Sequence, residues 1–456
     1  MEYDLIVVGA GTAGAIAARF GAEKGLKVLL IDAKPREKIG EKICGDAIGR
    51  HHFDYLKIDL PKGKELTRHI DGIDVYSPDR ETVFRVGGHG LDGYIIDRLE
   101  FGQRLVNEAI AAGAELRDNT RVLEPIIENN MMVGVVIRTP TGKEEIRGKV
   151  TIDASGMGAI LRRKVPDSWN MEKNVDWEDV AINYREIREI NTKLESPEYA
   201  RIYLSQEAAP GGYIWVFPKN EIENGMIVNT GLGVGMFKGH PDPRKQYEKY
   251  VLSMNMFKGS KLIHGGGASV TVRRPLDTLV GNGFMLAGDS GSCANPVHGG
   301  GIGSSMIAGK LAAETAAEAI ENGDVSQRGL WIYNKRYNVA YGAKQAALDV
   351  FRIFLQSLKD SDLSYGMKAQ LITEEDLLKA NLGEDLRLNA GEKVIRFLRG
   401  VKKLGLLNNL KYVADKMKEV KQLYLNYPKT IDGYSEWRKQ VHKIFDDLKA
   451  KYWGKR

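Results

Sequence analysis

The first 32 residues contain the stretch that decides the fold, and its central part, Leu5–Gly14, reads LIVVGAGTAG. The apolar run Leu5–Val8 predicts a β-strand, and the alanine-rich pattern after the glycines predicts a helix to about Lys24. A second β run, Lys27–Ile31, ends at Asp32. A strand, a G-x-G-x-x-G turn, a helix and a strand ending in an acid are together typical of a dinucleotide-binding α/β domain.

Each residue type in this unit has a physical role in holding a dinucleotide. Gly9 permits a tight turn, Gly11 lets the backbone approach a pyrophosphate, and Gly14 allows the helix to pack closely on the strand. The helix N-terminus offers free N–H groups and a positive partial charge to the phosphates. Asp32 is placed to accept a hydrogen bond from a ribose hydroxyl. This unit alone does not distinguish FAD from NAD.

A second glycine-rich segment distinguishes the two cofactors. Met285–Ser290 reads MLAGDS after a predicted strand, and Pro296–Ile302 reads PVHGGGI before a predicted helix. Asp289 can bond ribitol hydroxyls, and glycine N–H groups at the helix start can face the electron-rich edge of a reduced flavin. The sequence therefore predicts FAD as the cofactor.

The rest of the chain divides into a β-rich part and a helical part. Residues 170–274 carry short β runs separated by polar segments, whereas beyond Trp331 apolar residues recur at helical spacing, as in Gly391–Leu398. We therefore predict an α/β fold with an FAD-binding Rossmann-like domain, an inserted antiparallel β-sheet substrate domain and a C-terminal helical domain. The predicted bounds are 1–70, 98–160 and 275–330 for the first, 71–97 and 161–274 for the second, and 331–456 for the third.

Charge and cysteine content limit the possible functions. Residues 331–456 hold 25 Lys and Arg against 15 Asp and Glu, so all of the net positive charge lies in this quarter of the chain. Such a surface attracts a phosphate-bearing ligand or lipid headgroups, but a solvated helical face has the same composition. Two cysteines, Cys44 and Cys293, are too few for a Cys-ligated iron–sulfur cluster or a Cys-rich zinc site, and we expect no metal.

The sequence also bears on location. It has no run of 18 uncharged apolar residues, and Glu2 and Asp4 stand where a signal peptide carries basic residues. We expect a cytoplasmic protein, with peripheral membrane contact as a second option, and no nucleic-acid partner.

Several motifs together resemble a known family. Gly9–Gly14, Asp153–Gly156 and Gly288–Asp289, in this order, resemble the flavoprotein class typified by p-hydroxybenzoate hydroxylase. Within that class, Lys42–Asp46 (KICGD) and Pro210–Pro218 (PGGYIWVFP) resemble the geranylgeranyl reductases, and in particular their archaeal digeranylgeranylglycerophospholipid reductase group. These motifs cover about residues 1–330, and the likeness extends more loosely through the tail. The resemblance implies FAD-dependent saturation of isolated C=C bonds in geranylgeranyl chains.

The resemblance also implies two sets of cofactor-binding residues. One set matches positions that hold the dinucleotide, namely Ala13, Asp32, Arg98, Val122 and Asp289. The other set matches positions around the isoalloxazine ring, namely Cys44, Gly45, Ala47, Gly301 and Ile302, to which we add Pro296 and Gly300 from the second glycine-rich segment. Asp153 is separated from Gly156 by two residues, whereas the family motif has an acid and a glycine adjacent, so no role is predicted for Asp153.

Three aromatic residues form the candidate substrate-binding site. Tyr213, Trp215 and Phe217 alternate along one predicted strand, so all three face the same side. Aromatic residues on a sheet face usually belong to the core, but the resemblance implies the wall of an apolar tunnel for an isoprenoid chain. In that interpretation Tyr213 and Trp215 position the alkene.

The sequence offers several candidates for the proton donor. Cys44 or an ordered water could relay a proton to the alkene, and His298 ranks first among the histidines that could act as acids. Cys44 and Cys293 could also approach each other as a thiol pair or disulfide, and two buried, unreactive thiols are the alternative.

Two other functions fit part of this pattern. One is a flavin-dependent aromatic hydroxylase of the same class, and the other is a non-catalytic, flavin-containing lipid-binding protein. The expected substrate is a geranylgeranyl lipid or geranylgeranyl diphosphate. Electrons are expected from NAD(P)H or a ferredoxin-like protein, although no second G-x-G-x-x-G unit offers a separate NAD(P) domain.

Overall fold

The predicted dinucleotide-binding unit is present in the computed structural model, which describes residues 2–88, 92–139, 142–382, 399 and 403–454, with the backbone alone at 379–382. Strand β1 (Tyr3–Val8), helix α1 (Thr12–Glu23) and strand β2 (Val28–Ile31) follow one another, and the two strands pair in parallel. Leu5, Ile6 and Val7 are all fully buried. Their continuous apolar run forms a strand because both faces of a parallel sheet are covered.

This unit is the centre of an eight-stranded sheet. Across the sheet the order is β17 (Val280–Gly281), β18 (Phe284–Leu286), β11 (Gly142–Asp153), β1, β2 and β8 (Glu115–Arg117). An antiparallel pair, β9 (Arg121–Glu128) and β10 (Met131–Thr139), extends from β11. Helix α1 packs against α3 (Arg98–Ala111) and α5 (Ile302–Glu321). The approach of α1 to α5 is close, since a Cβ placed on Gly309 would lie 2.2 Å from the carbonyl oxygen of Ala13.

A second, seven-stranded sheet carries the aromatic segment. Its order is β16 (Lys261–Thr271), β12 (Val180–Ile190), β15 (Gly225–Gly235), β14 (Ile214–Ile222), β13 (Tyr199–Tyr203), β5 (Gly72–Tyr76) and β6 (Val83–Gly87). All neighbouring strands are antiparallel except β13 and β5. Ile214, Val216 and Leu232 lie on one face in an apolar cluster, together with Tyr247 and Val251 of the π-helical turn Tyr247–Val251 that follows α4 (Pro243–Gln246). The opposite face is therefore free to form a site.

A small three-stranded sheet connects the two large ones. It consists of β3 (Ala47–Gly49), β7 (Gly93–Ile96) and β4 (Leu66–Ile70), and α2 (Arg50–Leu56) follows β3 directly. β4 and β7 contact β14, whereas β3 and α2 contact α5. The α/β fold class is thus as predicted. The division into three domains stays a prediction. It places β7 in the substrate domain, and in the structure β7 pairs with β3 and β4 rather than with the seven-stranded sheet.

The C-terminal region is helical where the structure describes it. Its helices are α6 (Gln327–Leu330), α7 (Ile332–Tyr337), α8 (Ala343–Leu355), α9 (Asp360–Lys368), α10 (Glu374–Leu382), α11 (Leu404–Leu425) and α12 (Tyr434–Trp453). The helix predicted at 391–398 lies outside the described residues. Of the helices in the described ranges, none combines the length and the apolar character that crossing a bilayer requires.

Buried ion pairs attach this region to the rest of the molecule. Asp179, at the start of the seven-stranded sheet, accepts from Arg352 at 2.8 Å and from Lys449 at 3.2 Å. Burial alone would raise the pKa of Asp179, but Arg352 and Arg273 hold it well below its usual range. The charge on Asp179 is therefore part of the packing of α8 and α12.

A second acidic group is paired in the same way. Glu172, Asp277 and His442 bring potential metal-ligand atoms within 4.8 Å of one another. Asp277 also forms an ion pair with Arg438, whose Nε lies 3.0 Å from Oδ2. Glu172 forms one with Arg273, whose Nη2 lies 2.8 Å from Oε1. These guanidinium groups supply the positive charge that a cation would otherwise bring, so we interpret the group as an ion-pair cluster.

Candidate active site

The glycine turn after β1 is held by main-chain contacts. Gly9 has a φ of +100°, and a Cβ placed on Gly14 would lie 1.8 Å from the Gly9 carbonyl oxygen. The N–H groups of Ala10 and Lys34 donate to the two carboxylate oxygens of Asp32, at 2.7 and 2.8 Å. Each oxygen keeps a lone pair with which it can accept from a ribose hydroxyl. A Cβ on Gly11 would have no described atom within 4 Å, so the turn faces open space there.

Arg98 is a buried cation whose surroundings suit a phosphate. Asp97 caps α3 by accepting from the N–H groups of Leu99 and Glu100, both at 3.0 Å, and Arg98 follows as the first helical residue. Its side chain is only 9% exposed, and its Nε and Nη1 atoms have no hydrogen-bond partner among the described residues. A buried guanidinium without partners is costly, and a phosphate is one of its best ligands. The residue fits the pyrophosphate of a dinucleotide.

The N-terminus of α5 is the second feature that fits the predicted cofactor. Gly301 occupies the N-cap position, and no described side chain caps this helix. The first N–H groups of α5 therefore stay available to a negatively charged ring edge. Asp289, in the turn after β18, lies 2.7 Å from Lys42 Nζ, and its charge raises the pKa of Lys42.

Residues 295–301, which we call the flavin loop, precede α5. The Oδ1 atom of Asn295 accepts from the N–H groups of Val297 at 2.9 Å and His298 at 3.3 Å. His298 Nδ1 accepts from the N–H of Gly300 at 3.1 Å. Burial, with repulsion from Lys344, lowers the pKa of His298 to about 4. The imidazole is therefore neutral near pH 7 and helps to shape the loop.

Residues 42–46, which we call the Cys44 loop, lie against the seven-stranded sheet. The carbonyl oxygen of Cys44 accepts from Asn229 on β15 at 2.8 Å and from Arg185 on β12 at 3.2 Å. The N–H of Asp46 donates to the Cys44 Sγ at 3.4 Å. A Cβ placed on Gly45 would lie 3.0 Å from the Phe217 ring, so the loop touches the aromatic segment directly.

The side of the seven-stranded sheet that carries Tyr213, Trp215 and Phe217 is called the aromatic face below. As the alternation predicts, these residues point away from the cluster of Ile214 and Val216. The ring centroids are 6.1 Å apart for Tyr213 and Trp215, and 6.4 Å apart for Trp215 and Phe217. Tyr213 Oη donates to the carbonyl oxygen of His298 at 2.6 Å. The aromatic face, the Cys44 loop and the flavin loop therefore meet at one place.

Both cysteines are free thiols in the described structure. Cys293 is fully buried, and burial raises its pKa to about 12, so it behaves as an unreactive thiol. Cys44 is half-buried in its loop, beside Tyr213, whose own pKa is raised by burial and by the proximity of Cys44.

Comparison with known proteins decides the family. Residues 4–174 match the model of the FAD dependent oxidoreductases, and residues 179–270 match that of the geranylgeranyl reductase catalytic domain. The sequence is 42% identical to a digeranylgeranylglycerophospholipid reductase of Sulfolobus acidocaldarius, over 98% of each chain. The chain belongs to the digeranylgeranylglycerophospholipid reductase family.

Solved structures extend this relationship. A geranylgeranyl bacteriochlorophyll reductase-like protein from Thermoplasma acidophilum has a TM-score of 0.75 and 25% identity to this reductase family member, covering 90% of this chain and 99% of that one. A myxobacterial FAD-dependent chondrochloren halogenase has a TM-score of 0.62 at 16% identity, over 93% and 96% of the two chains, and shares the fold. The prediction of FAD as the cofactor is confirmed by these relationships.

The remaining predicted cofactor residues of this family member lie in several different elements. Ala13 lies under α5, Val122 is buried in β9, and Pro296 is buried in the flavin loop. Ala47 begins β3, and Ile302 begins α5. Their contacts with FAD stay predictions.

Sequence reasoning missed several polar residues of the site. Arg185, Lys219 and Asn229 are at most 7% exposed, and all three lie on strands of the seven-stranded sheet. The sequence carried one signal for them, which is a charged or amide side chain at an inward position of an otherwise apolar β run.

Proposed function

We propose that this protein is an FAD-dependent reductase that saturates the isolated C=C bonds of geranylgeranyl chains, either in a membrane ether-lipid precursor or in geranylgeranyl diphosphate. The observation that carries the proposal is the hydrogen bond from Tyr213 Oη to the His298 carbonyl, 2.6 Å long. It joins an aromatic wall to the loop that precedes α5, where a flavin ring edge fits. An apolar chain lying on the aromatic face would therefore lie beside the cofactor.

An isolated alkene is hard to reduce because no carbonyl group activates it. Reduced FAD, when bound, would supply a hydride to the more substituted alkene carbon, which carries positive charge once the other carbon has been protonated. The π faces of Tyr213 and Trp215 can stabilise that charge. The buried setting of Trp215 and Phe217, each 7% exposed, keeps water away from the same carbon.

A proton must reach the second alkene carbon, and we assign its relay to Cys44 or to a water molecule that Cys44 holds. Cys44 is half-buried beside the aromatic face, whereas Cys293 is fully buried with a raised pKa of about 12. His298 suits this step less well, because at a pKa of about 4 its imidazole is neutral near pH 7 and is then a very weak acid.

The partners follow from charge and chemistry. The C-terminal residues 331–456, with 25 Lys and Arg against 15 Asp and Glu, suit an anionic headgroup, a diphosphate or the surface of a membrane. Electrons reach the cofactor from NAD(P)H or from a ferredoxin-like protein.

Product mass after anaerobic incubation tests this proposal. The protein, with chemically reduced FAD, is given a digeranylgeranylglycerophospholipid or geranylgeranyl diphosphate, and each saturated bond adds two hydrogens to the mass. We expect Trp215→Ala to lose saturation, since it removes the largest side chain of the aromatic face. Trp177→Ala is the matched control, because Trp177 is 71% exposed outside that face. Unchanged saturation by Trp215→Ala would show that the aromatic face does not bind the chain.

A further inference from the structure

A buried polar network links the aromatic face to the Cys44 loop. Its members are Asn229 on β15, Lys219 on β14 and Asp46 at the end of the loop, which are 0%, 7% and 3% exposed. Buried polar side chains persist in a protein when their hydrogen bonds are satisfied, and they then fix one arrangement of the groups they join. The arrangement here joins two residues of the proposed reaction, Trp215 and Cys44.

Asn229 is the hub of this network. Its Oδ1 accepts from the indole Nε1–H of Trp215 at 3.0 Å. Its Nδ2 donates to the carbonyl oxygen of Cys44 at 2.8 Å and to Asp46 Oδ2 at 2.7 Å. An indole N–H can only donate and a carbonyl can only accept, so the amide has one orientation that satisfies all three partners.

Asp46 and Lys219 support this amide with charge. Lys219 Nζ lies 3.3 Å from Asp46 Oδ2 and donates to the carbonyl oxygen of Ile96 on β7 at 2.9 Å. Asp46 adopts a φ of +64°, which only a few residue types tolerate. Its N–H is the group that donates to the Cys44 Sγ at 3.4 Å. The position of the thiol is therefore coupled to the same carboxylate that Asn229 holds.

A neighbouring residue shows how much the Cys44 loop depends on the sheet. Arg185 on β12 donates to the carbonyl oxygens of both Cys44 and Lys42, each at 3.2 Å. Arg185 can hold the loop against the sheet, but among the described residues none of its hydrogen bonds goes to a side chain of the aromatic face. The link between the loop and Trp215 runs through Asn229.

We propose that Asn229 is a positioning residue, which holds the Trp215 indole and the Cys44 loop in one fixed relation so that alkene and thiol face each other. The expected effect of Asn229 on saturation rests on the proposed function, whereas its role in fixing the Cys44 loop does not. Without Asn229, the indole N–H, the Cys44 carbonyl and Asp46 each lose a partner. A displacement of about 1 Å at a reacting group can lower a rate about 100-fold.

The first test compares two substitutions on the same strand. Asn229→Leu keeps the number and branching of the side-chain heavy atoms and removes the hydrogen bonds. Thr230→Val is the matched control, because Thr230 is equally buried and donates to the carbonyl of Trp215 at 3.0 Å, but its side chain lies on the other face of the strand. We expect Asn229→Leu to lower kcat about 100-fold with less than about a threefold change in KM, and Thr230→Val to stay near wild type. Equal kcat values in the two variants would overturn the proposal.

The second test does not need turnover. The chain has two cysteines, and Cys293 is fully buried, so alkylation of the FAD-loaded protein by iodoacetamide reports on Cys44. We expect Asn229→Leu to raise the alkylation rate about tenfold, which is the effect of losing about one hydrogen bond on local opening of the loop. Thr230→Val should not raise it. An unchanged rate in Asn229→Leu would show that Asn229 does not hold the Cys44 loop.

A third variant covers the case in which Asn229→Leu does not fold. Trp215→Phe keeps an aromatic ring but removes the N–H that Asn229 accepts, and we expect faster alkylation of Cys44 there too. An alkylation rate equal to wild type would again count against the link. Failure of the wild-type protein to saturate any geranylgeranyl substrate would refute the proposed function alone, since the alkylation results would still decide the role of Asn229.

Discussion

The glycine turn after β1 and the aromatic face lie in the same site, but different kinds of atoms hold them. The turn depends on main-chain hydrogen bonds, such as the Gly9 N–H that donates to the Ile31 carbonyl oxygen at 2.7 Å, and on missing side chains at Gly9 and Gly14. The aromatic face depends on side-chain hydrogen bonds across strands, above all that of Asn229 with Trp215. Where a site depends on missing side chains, adding a single methyl group should cause a large loss of binding and stability. Where a site depends on a side-chain network, each substitution should cause a smaller loss.

The largest effect is expected from a methyl group in the turn. In Gly14→Ala the new Cβ would lie 1.8 Å from the Gly9 carbonyl oxygen, so α1 must move away from β1. We expect loss of bound FAD and a fall of more than about 3 kcal/mol in the free energy of unfolding. Flavin absorbance and guanidinium unfolding measure the two effects.

Gly11→Ala is the control for this substitution. Its Cβ would meet no described atom within 4 Å, so the protein should fold normally and only FAD binding should weaken. A Gly14→Ala protein with wild-type stability would show that the helix can shift without cost, and the contrast between turn and aromatic face would lose its basis.

The next effect separates cofactor binding from stability. Arg98 is buried with Nε and Nη1 unpaired among the described residues, whereas Arg104, two turns further along α3, is paired with Glu65 at 2.7 Å and Glu108 at 2.8 Å. We expect Arg98→Met to raise the Kd for FAD about 10-fold to 100-fold, as loss of a charge-assisted hydrogen bond does, without lowering the Tm of the cofactor-free protein.

Arg104→Met should do the opposite, because it leaves Glu65 without its partner and touches no predicted FAD position. Its Tm should fall while the Kd for FAD stays unchanged. FAD titration and thermal unfolding of both variants check this, and equal Kd values in the two would remove Arg98 from the cofactor site.

The same contrast explains how far the sequence could predict the structure. The βαβ unit was predictable because its rules are local: Asp32 lies 22 residues from the Ala10 N–H that it accepts. The Asn229 network was not, because Asp46 is 183 residues from Asn229 and 173 residues from Lys219. Only the folded sheets bring these residues together.

Strand prediction shows the same limit at smaller scale. β16 runs through Gly265–Gly267, where three glycines give no local β signal, because pairing with β12 carries the strand. The three-stranded sheet was missed because β3 and β4 both pair with β7, far along the chain, and each is too short to show a period. Long-range pairing supplied what local propensity lacked.

A pair of glycines on β15 tests the aromatic face directly. A Cβ on Gly231 would lie 2.2 Å from the Trp215 ring, whereas a Cβ on Gly233 would have no described atom closer than 3.9 Å. We expect Gly231→Ala to displace the indole and lower kcat/KM about tenfold, with FAD still bound, and Gly233→Ala to behave as wild type. The rate of product formation, followed by mass spectrometry, gives kcat/KM for both variants. Equal activity in the two variants would mean that the position of Trp215 does not matter for turnover.

The smallest expected effect is on the pH dependence of stability, and it concerns His298 in the flavin loop. Its pKa is about 4 in the folded protein, against about 6.5 in an unfolded chain. Above pH 6.5 the imidazole is neutral in both states. As the pH falls through 6.5 toward 4, the unfolded chain takes up the proton first, so stability is lost, by about 1–2 kcal/mol at pH 5.

His298→Asn isolates this contribution, since the amide oxygen of asparagine can still accept from the N–H of Gly300 but does not titrate. The loss in the free energy of unfolding between pH 7 and pH 5 should be smaller by about 1–2 kcal/mol in the variant than in the wild type, as measured by guanidinium unfolding at both pH values. Titrating groups that do not interact with His298 contribute equally to both proteins and cancel. Identical losses would mean that His298 is solvated in the folded state, and the flavin loop would then be open where the structure has it closed against Tyr213.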